Sequence, residues 1–182
     1  MIYRRIDRAD YEQVLALQEV NLFDNLSDEA RRNGYLSARF SAEDFARMDQ
    51  DVAVIVAADD ATLAGYACAS SVELSRKVPI LSAMIDRFDE LALHGVTLAR
   101  LRVFVSGPVC VAQQYRGSGV LRGLHRTANA QAAARYDAGV GFVAKSNPRS
   151  HAAHVRGLGM QSIGEFRYNA NAYWIIGFEV GN

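Results

Sequence analysis

The 182-residue sequence predicts an α/β domain: a single mixed, mostly antiparallel twisted sheet with helices on both faces, residues 1–182 forming one domain. Three observations predict it. Candidate elements succeed one another as β, two or three helices, an antiparallel strand pair, then β-α-β-α-β-β. The run Val52–Ala58 is apolar throughout, consistent with a buried strand. Val109–Leu124 reads as strand, glycine-containing turn and helix, which presents unpaired N–H groups and partial positive charge at a helix start. Such a start suits a phosphate or pyrophosphate.

Met1–Ile6 is a short first strand. Asp7 and Asp10 offer caps for a helix over about Ala9–Leu22, where Tyr11, Val14, Leu15, Leu17 and Gln18 keep a helical period. After a break at Asn21–Asn25, Ser27-Asp28-Glu29-Ala30 starts a second helix with Gly34 near its end. Ser41-Ala42-Glu43-Asp44 resembles a capping box before Phe45 and Met48. Val52–Ala58 and Leu63–Leu74 flank the turn Asp59–Thr62 as a hairpin. Ser75–Pro79 reads as a loop. Ile80–Leu93 has helical spacing (Leu81, Met84, Ile85, Phe88, Leu91) ended by His94-Gly95. Leu101–Val111 is a strand, Gly119–Tyr136 a helix and Val140–Ala144 a short strand. Asn147-Pro148 opens a helix over about Arg149–Leu158, ended by Gly159. Ser162–Tyr168 and Tyr173–Glu179 are strands around Asn169-Ala170-Asn171.

Composition excludes some functions. Half the residues are hydrophobic and 22% are charged, with Lys plus Arg equal to Asp plus Glu at 20 each. That balance argues against a dedicated nucleic-acid binder, although a local basic patch stays open. No apolar run approaches the ~18–20 residues of a membrane span, and Met1-Ile2-Tyr3-Arg4-Arg5 lacks the apolar stretch of a signal peptide. The expectation is a cytoplasmic protein with neither membrane nor nucleic-acid partner. Cys68 and Cys110 sit in strand-like surroundings and read as buried free thiols; no Cys/His spacing suggests zinc.

Arg116-Gly117-Ser118-Gly119-Val120-Leu121, after Val-Cys-Val and before Leu124, resembles the acyl-CoA pyrophosphate loop of the GNAT N-acetyltransferase superfamily. That loop reads Gln/Arg-x-x-Gly-x-Gly/Ala. Arg116 and Gly119 fit, whereas Leu121 stands where Gly or Ala is usual. A second register, Gln114-x-x-Gly117-x-Gly119, matches fully, but the first puts Leu124 on the usual helix leucine. The element order resembles that fold from end to end.

The resemblance implies acetyl-CoA as co-substrate and direct attack by an amine in a ternary complex. The amine would be a small molecule, a peptide N-terminus or a lysine. It implies that loop N–H groups from Gly117 through Val120 hold the pyrophosphate. Val109, Cys110 and Val111 would offer backbone groups to the pantetheine where the strand splays from its neighbour. Gly107-Pro108 reads either as an edge or bulge, since Pro lacks an N–H, or as that splay. Arg116 either contacts a phosphate or is solvated. Asn147 is a helix N-cap, a pantetheine neighbour, or both. His154 lies nearest the position whose Tyr protonates the departing thiolate in the family, and Glu73 is the candidate base. No metal is expected. The acceptor pocket would draw on Leu22–Met48, Leu74–Arg100 and the tail. Family members are often dimers, and a homodimer stays open. A non-catalytic acyl-CoA-binding or regulatory module on the same fold is the rival reading. A nucleotide-binding domain is weaker, because the loop lacks the Gly-Lys-Ser/Thr ending.

Overall fold

The computed structural model describes residues 1–181. Its elements are β1 (Ile2–Arg5), α1 (Tyr11–Glu19), α2 (Asp28–Arg31), α3 (Ala42–Asp51), β2 (Ala53–Asp59), β3 (Thr62–Ser71), α4 (Val72–Ser75) and α5 (Pro79–Ile85). There follow β4 (Ala92–Leu93), β5 (Val96–Thr97), β6 (Val103–Val111), α6 (Val120–Ala132), β7 (Ala138–Ala144), α7 (Pro148–Ala152), β8 (Gln161–Tyr168) and β9 (Asn171–Glu179). Seven strands form one sheet in the order β1-β2-β3-β6-β7-β9-β8. Neighbours are antiparallel except β6 and β7, which run parallel. The expected mixed, mostly antiparallel sheet is therefore what the chain forms.

The apolar run of β2 follows from cover on both faces. Val54 and Val56 pack with Val14, Phe45 and Met48 under α1 and α3, while Ala53, Ile55 and Ala57 pack with Val120, Leu124 and Ala128 under α6. Each fully buried Val, Ile or Phe contributes about 1.5–3 kcal/mol of transfer free energy. Local signals hold as read. Ser41 and Asp44 make a reciprocal capping box, and the Ser27 side chain accepts from the Ala30 N–H. Cys68 and Cys110 are free and buried.

Two expected elements are corrected. Strand β3 stops at Ser71, whose Oγ accepts from the Leu74 N–H at 3.1 Å and starts the turn α4. Residues 72–75 are thus helical, and Glu73 lies on that turn rather than at a strand end. The predicted helix Ile80–Leu93 ends at Ile85. Phe88 and Leu91 still enter the core, which is why their spacing mimicked a helix. His94 and Gly95 both have positive φ and turn the hairpin β4–β5 rather than capping a helix. Further on, α7 continues as a π-helical turn over Ala153–Gly157. Among the described residues, no helix is long and apolar enough to cross a membrane.

Candidate functional site

The site begins where β6 leaves β7. The two strands pair only at Val103↔Ala138, Phe104↔Gly139 and Val105↔Val140. They then part. At the last crossing Gly141 is required, since a Cβ there would meet the Ser106 carbonyl oxygen at 2.5 Å. On its other side β6 shifts register against β3 between Ala67 and Ala69, at Gly107-Pro108. Both readings of that dipeptide hold: it is a bulge toward β3, and the splay toward β7 starts beside it. Beyond Val105 the β6 edge facing β7 has no ladder partner, and its N–H groups are free for another acceptor.

A cleft follows the splay and divides into two cavities. The larger, about 500 Å³, lies between Val109–Val111 and the loop into α6. Gly117, Gly119, Leu121 and Arg116 line it, with Arg122 and Arg149. Gly119 is the N-cap of α6 at φ +91°, with no side chain capping that helix. The N–H groups of its first turn therefore carry the helix's partial positive charge unopposed. No Asp or Glu among the described residues lines this cavity, so it suits a polyanion.

Some predicted residues have the duties expected and others do not. Arg116 is neither solvated nor free: it donates to Asn33 O at 2.7 Å, Asn21 Oδ1 at 2.7 Å and Val111 O at 3.1 Å. It ties the loop to the chain after α1. Ser118 Oγ donates to Tyr115 O at 2.6 Å, and the Val120 side chain is buried in the core, so these two offer only backbone groups. Cys110 is a wall residue; burial pushes its thiol up to about 12, which leaves it unreactive. Asn147 caps α7, its Oδ1 accepting from Ser150 N at 3.3 Å, and its Nδ2 donates to Tyr35 O at 3.2 Å. The same residue lines the second cavity. Glu73 is exposed and lines neither cavity.

The second cavity, about 130 Å³, opens through the splay itself. His154 lines both cavities and marks their junction. It is buried within the π-helical turn, a distortion frequent at functional positions. Its Nδ1 lies 2.7 Å from Ser150 O. A carbonyl only accepts, so Nδ1 carries the proton and Nε2 the lone pair. Burial lowers its pKa, holding the ring neutral. His154 Nε2 is thus an acceptor in the resting protein, and the acid role expected from the sequence requires that it first gain a proton.

Residues 35–40, inside the stretch Leu22–Met48 expected at the acceptor pocket, form a strap that lines the second cavity. Gln18, 2% exposed, holds it by donating to Phe40 O and accepting from Phe40 N, both at 2.8 Å. The Tyr35 hydroxyl pairs with Ser146 Oγ at 2.6 Å. The one local signal for this strap was Gln18 on the apolar stripe of α1. Behind the junction, His125 Nε2 and Asn129 Oδ1 are buried without a hydrogen-bond partner. They line a space of about 20 Å³, room for roughly one water. Burial pushes His125 down to about 4.

This sheet order with its splay is the fold of the GNAT N-acetyltransferases. An N-acetyltransferase of Staphylococcus aureus Mu50 matches with a TM-score of 0.64 at 13% identity, over 98% of each chain. A GNAT superfamily phosphinothricin acetyltransferase of Sinorhizobium meliloti, solved with acetyl-CoA, matches with 0.63 at 16%, over 99% of this chain and 88% of that one. A ribosomal-protein-alanine N-acetyltransferase of Brucella melitensis matches with 0.61 at 17%, over 98% and 99%. No protein-family model matches the chain, and no curated protein matches it in sequence. The likeness thus lies in the fold.

Proposed function

We propose that the protein is an N-acyltransferase that moves an acetyl group from acetyl-CoA to an amine by direct attack in a ternary complex. The observation that carries this reading is the single cleft joining the cationic, uncapped start of α6 to His154 along the free edge of β6. The fold shared with a neighbour solved with acetyl-CoA supports it.

The pyrophosphate would lie on the N–H groups of Gly119–Arg122, with Arg122 and Arg149 neutralising the remaining charge. The pantetheine would run along Val109–Val111, bringing the thioester to the junction. There the amine nitrogen attacks the thioester carbon. N–H donors on the β6 edge bind the developing oxyanion, and the C–S bond breaks. His154 Nε2 takes the proton that the amine loses and passes it to the departing thiolate sulfur, so one imidazole serves as base and then as acid. Glu73 has no part in this scheme.

The rival reading, a non-catalytic acyl-CoA-binding module, draws on one observation: among the described residues no carboxylate lines either cavity. Thermal unfolding with acetyl-CoA, CoA, ATP and NAD tests the shared premise. Ligand at about 100 times its Kd adds roughly 2.7 kcal/mol, raising Tm with the first two only. Release of CoA in the presence of an amine then separates enzyme from module. Binding without release on any amine favours the module, and no shift with acetyl-CoA contradicts both.

A further inference from the structure

We infer that the acceptor is a primary amine with an apolar body and no second charge, about the size of a substituted benzene ring. The inference rests on the acyltransferase reading and concerns the second cavity alone.

Among the described residues, none lining that cavity is Asp, Glu, Lys or Arg. Its walls include Phe40 and Leu36 from the strap, Ile80 and Leu81 from α5, and Phe142 from β7. Two of its polar groups are already committed to the fold: the Tyr35 hydroxyl to Ser146 and the Asn147 amide to Tyr35 and Ser150. The volume of about 130 Å³ is close to the ~150 Å³ of an apolar cavity that takes up benzene.

These facts select by charge and by size. A carboxylate or second ammonium on the acceptor would be desolvated with no partner of opposite charge, at heavy cost. That disfavours diamines, free amino acids and lysine-bearing peptides. A peptide N-terminus would bring a chain longer than a cavity of about 130 Å³ holds. The reacting nitrogen meets the same constraint. With no carboxylate to hold an ammonium, desolvation favours its neutral form, which is the form that attacks. His154 Nε2, an acceptor at the mouth of this cavity, suits that nitrogen.

The test measures release of CoA from acetyl-CoA with benzylamine, putrescine, free alanine and a lysine-containing peptide with a free N-terminus. The expected kcat/KM for benzylamine exceeds each of the others by at least 100-fold. Ala38→Asp puts a carboxylate on the cavity wall, with Ser37→Asp, at an exposed position, as a second variant should the first fold poorly. Either is expected to shift the ratio at least 10-fold toward putrescine. Calorimetric binding of benzylamine to the CoA complex gives a second readout. Preference of the wild-type protein for the diamine, the amino acid or the peptide would overturn the inference. So would binding of acetyl-CoA with neither turnover nor binding of benzylamine, and in both cases the cofactor site stands. Failure to bind acetyl-CoA at all would overturn the acyltransferase reading and this inference with it.

Discussion

The two ends of the cleft are built on opposite principles. At the α6 end three arginines and an uncapped helix surround a cavity that no carboxylate among the described residues lines. At the β7 end the walls carry no Asp, Glu, Lys or Arg, and His154 is held neutral. One end attracts charge over a distance set by ionic strength. The other discriminates by desolvation, which salt leaves almost untouched. Under the proposed function, recognition of the donor and of the acceptor would therefore change independently, although His154 borders both.

Removing the junction is expected to have the largest effect. His154→Gln keeps the volume but removes the basic Nε2. We expect kcat to fall about 100-fold or more, with acetyl-CoA affinity changed less than threefold. Equal losses in kcat and in acetyl-CoA affinity would mean that His154 only holds the fold of the cleft.

Next come the arginines, which separate building from binding. Arg116→Ala leaves Asn21 Oδ1, Asn33 O and Val111 O without their charged donor. It is expected to cost about 2–3 kcal/mol in urea denaturation. Arg149 donates to Asn33 Oδ1 at 2.5 Å but is exposed. Arg149→Ala is expected to cost less than about 0.5 kcal/mol of stability while weakening acetyl-CoA about tenfold. Raising salt should mimic the second change and leave the KM for the amine unmoved. A salt-dependent amine KM would erase the distinction between the ends.

A separate effect concerns pH. His125 titrates near 4 in the folded chain, against about 6.5 unfolded. The folded pKa is depressed, so this contribution is complete above pH 6.5. It is lost as pH falls toward 4, because the unfolded chain then binds a proton that the folded chain refuses. The loss is at most about 1.4 kcal/mol per pH unit. His154, shifted the same way, adds to it. Denaturation at pH 7, 6 and 5 should show this slope, and His125→Gln should flatten it.

What could be read from the sequence was what is local. The capping boxes, the glycine loop and the two-faced run of β2 each declare themselves within a few residues. The misreadings have two causes. Phe88 and Leu91 had helical spacing because the core needed them, and Glu73 looked like the end of a strand because Ser71 was not recognised as a cap. The anchoring of the strap was illegible for another reason. The strap is pinned by Gln18 and Asn147, 22 and 112 residues from the groups they bind. The protonation of His154 depended on a carbonyl one turn away, which only the folded helix supplies.

The most direct measurement is a crystal structure with acetyl-CoA bound. The account predicts the pyrophosphate within hydrogen-bond distance of the N–H groups of residues 119–122 and the thioester carbonyl beside the free edge of β6. The acetyl group should point toward His154 Nε2 and the apolar cavity. An acetyl-CoA bound with its phosphates away from Gly119, or with its thioester out of reach of His154, would contradict it.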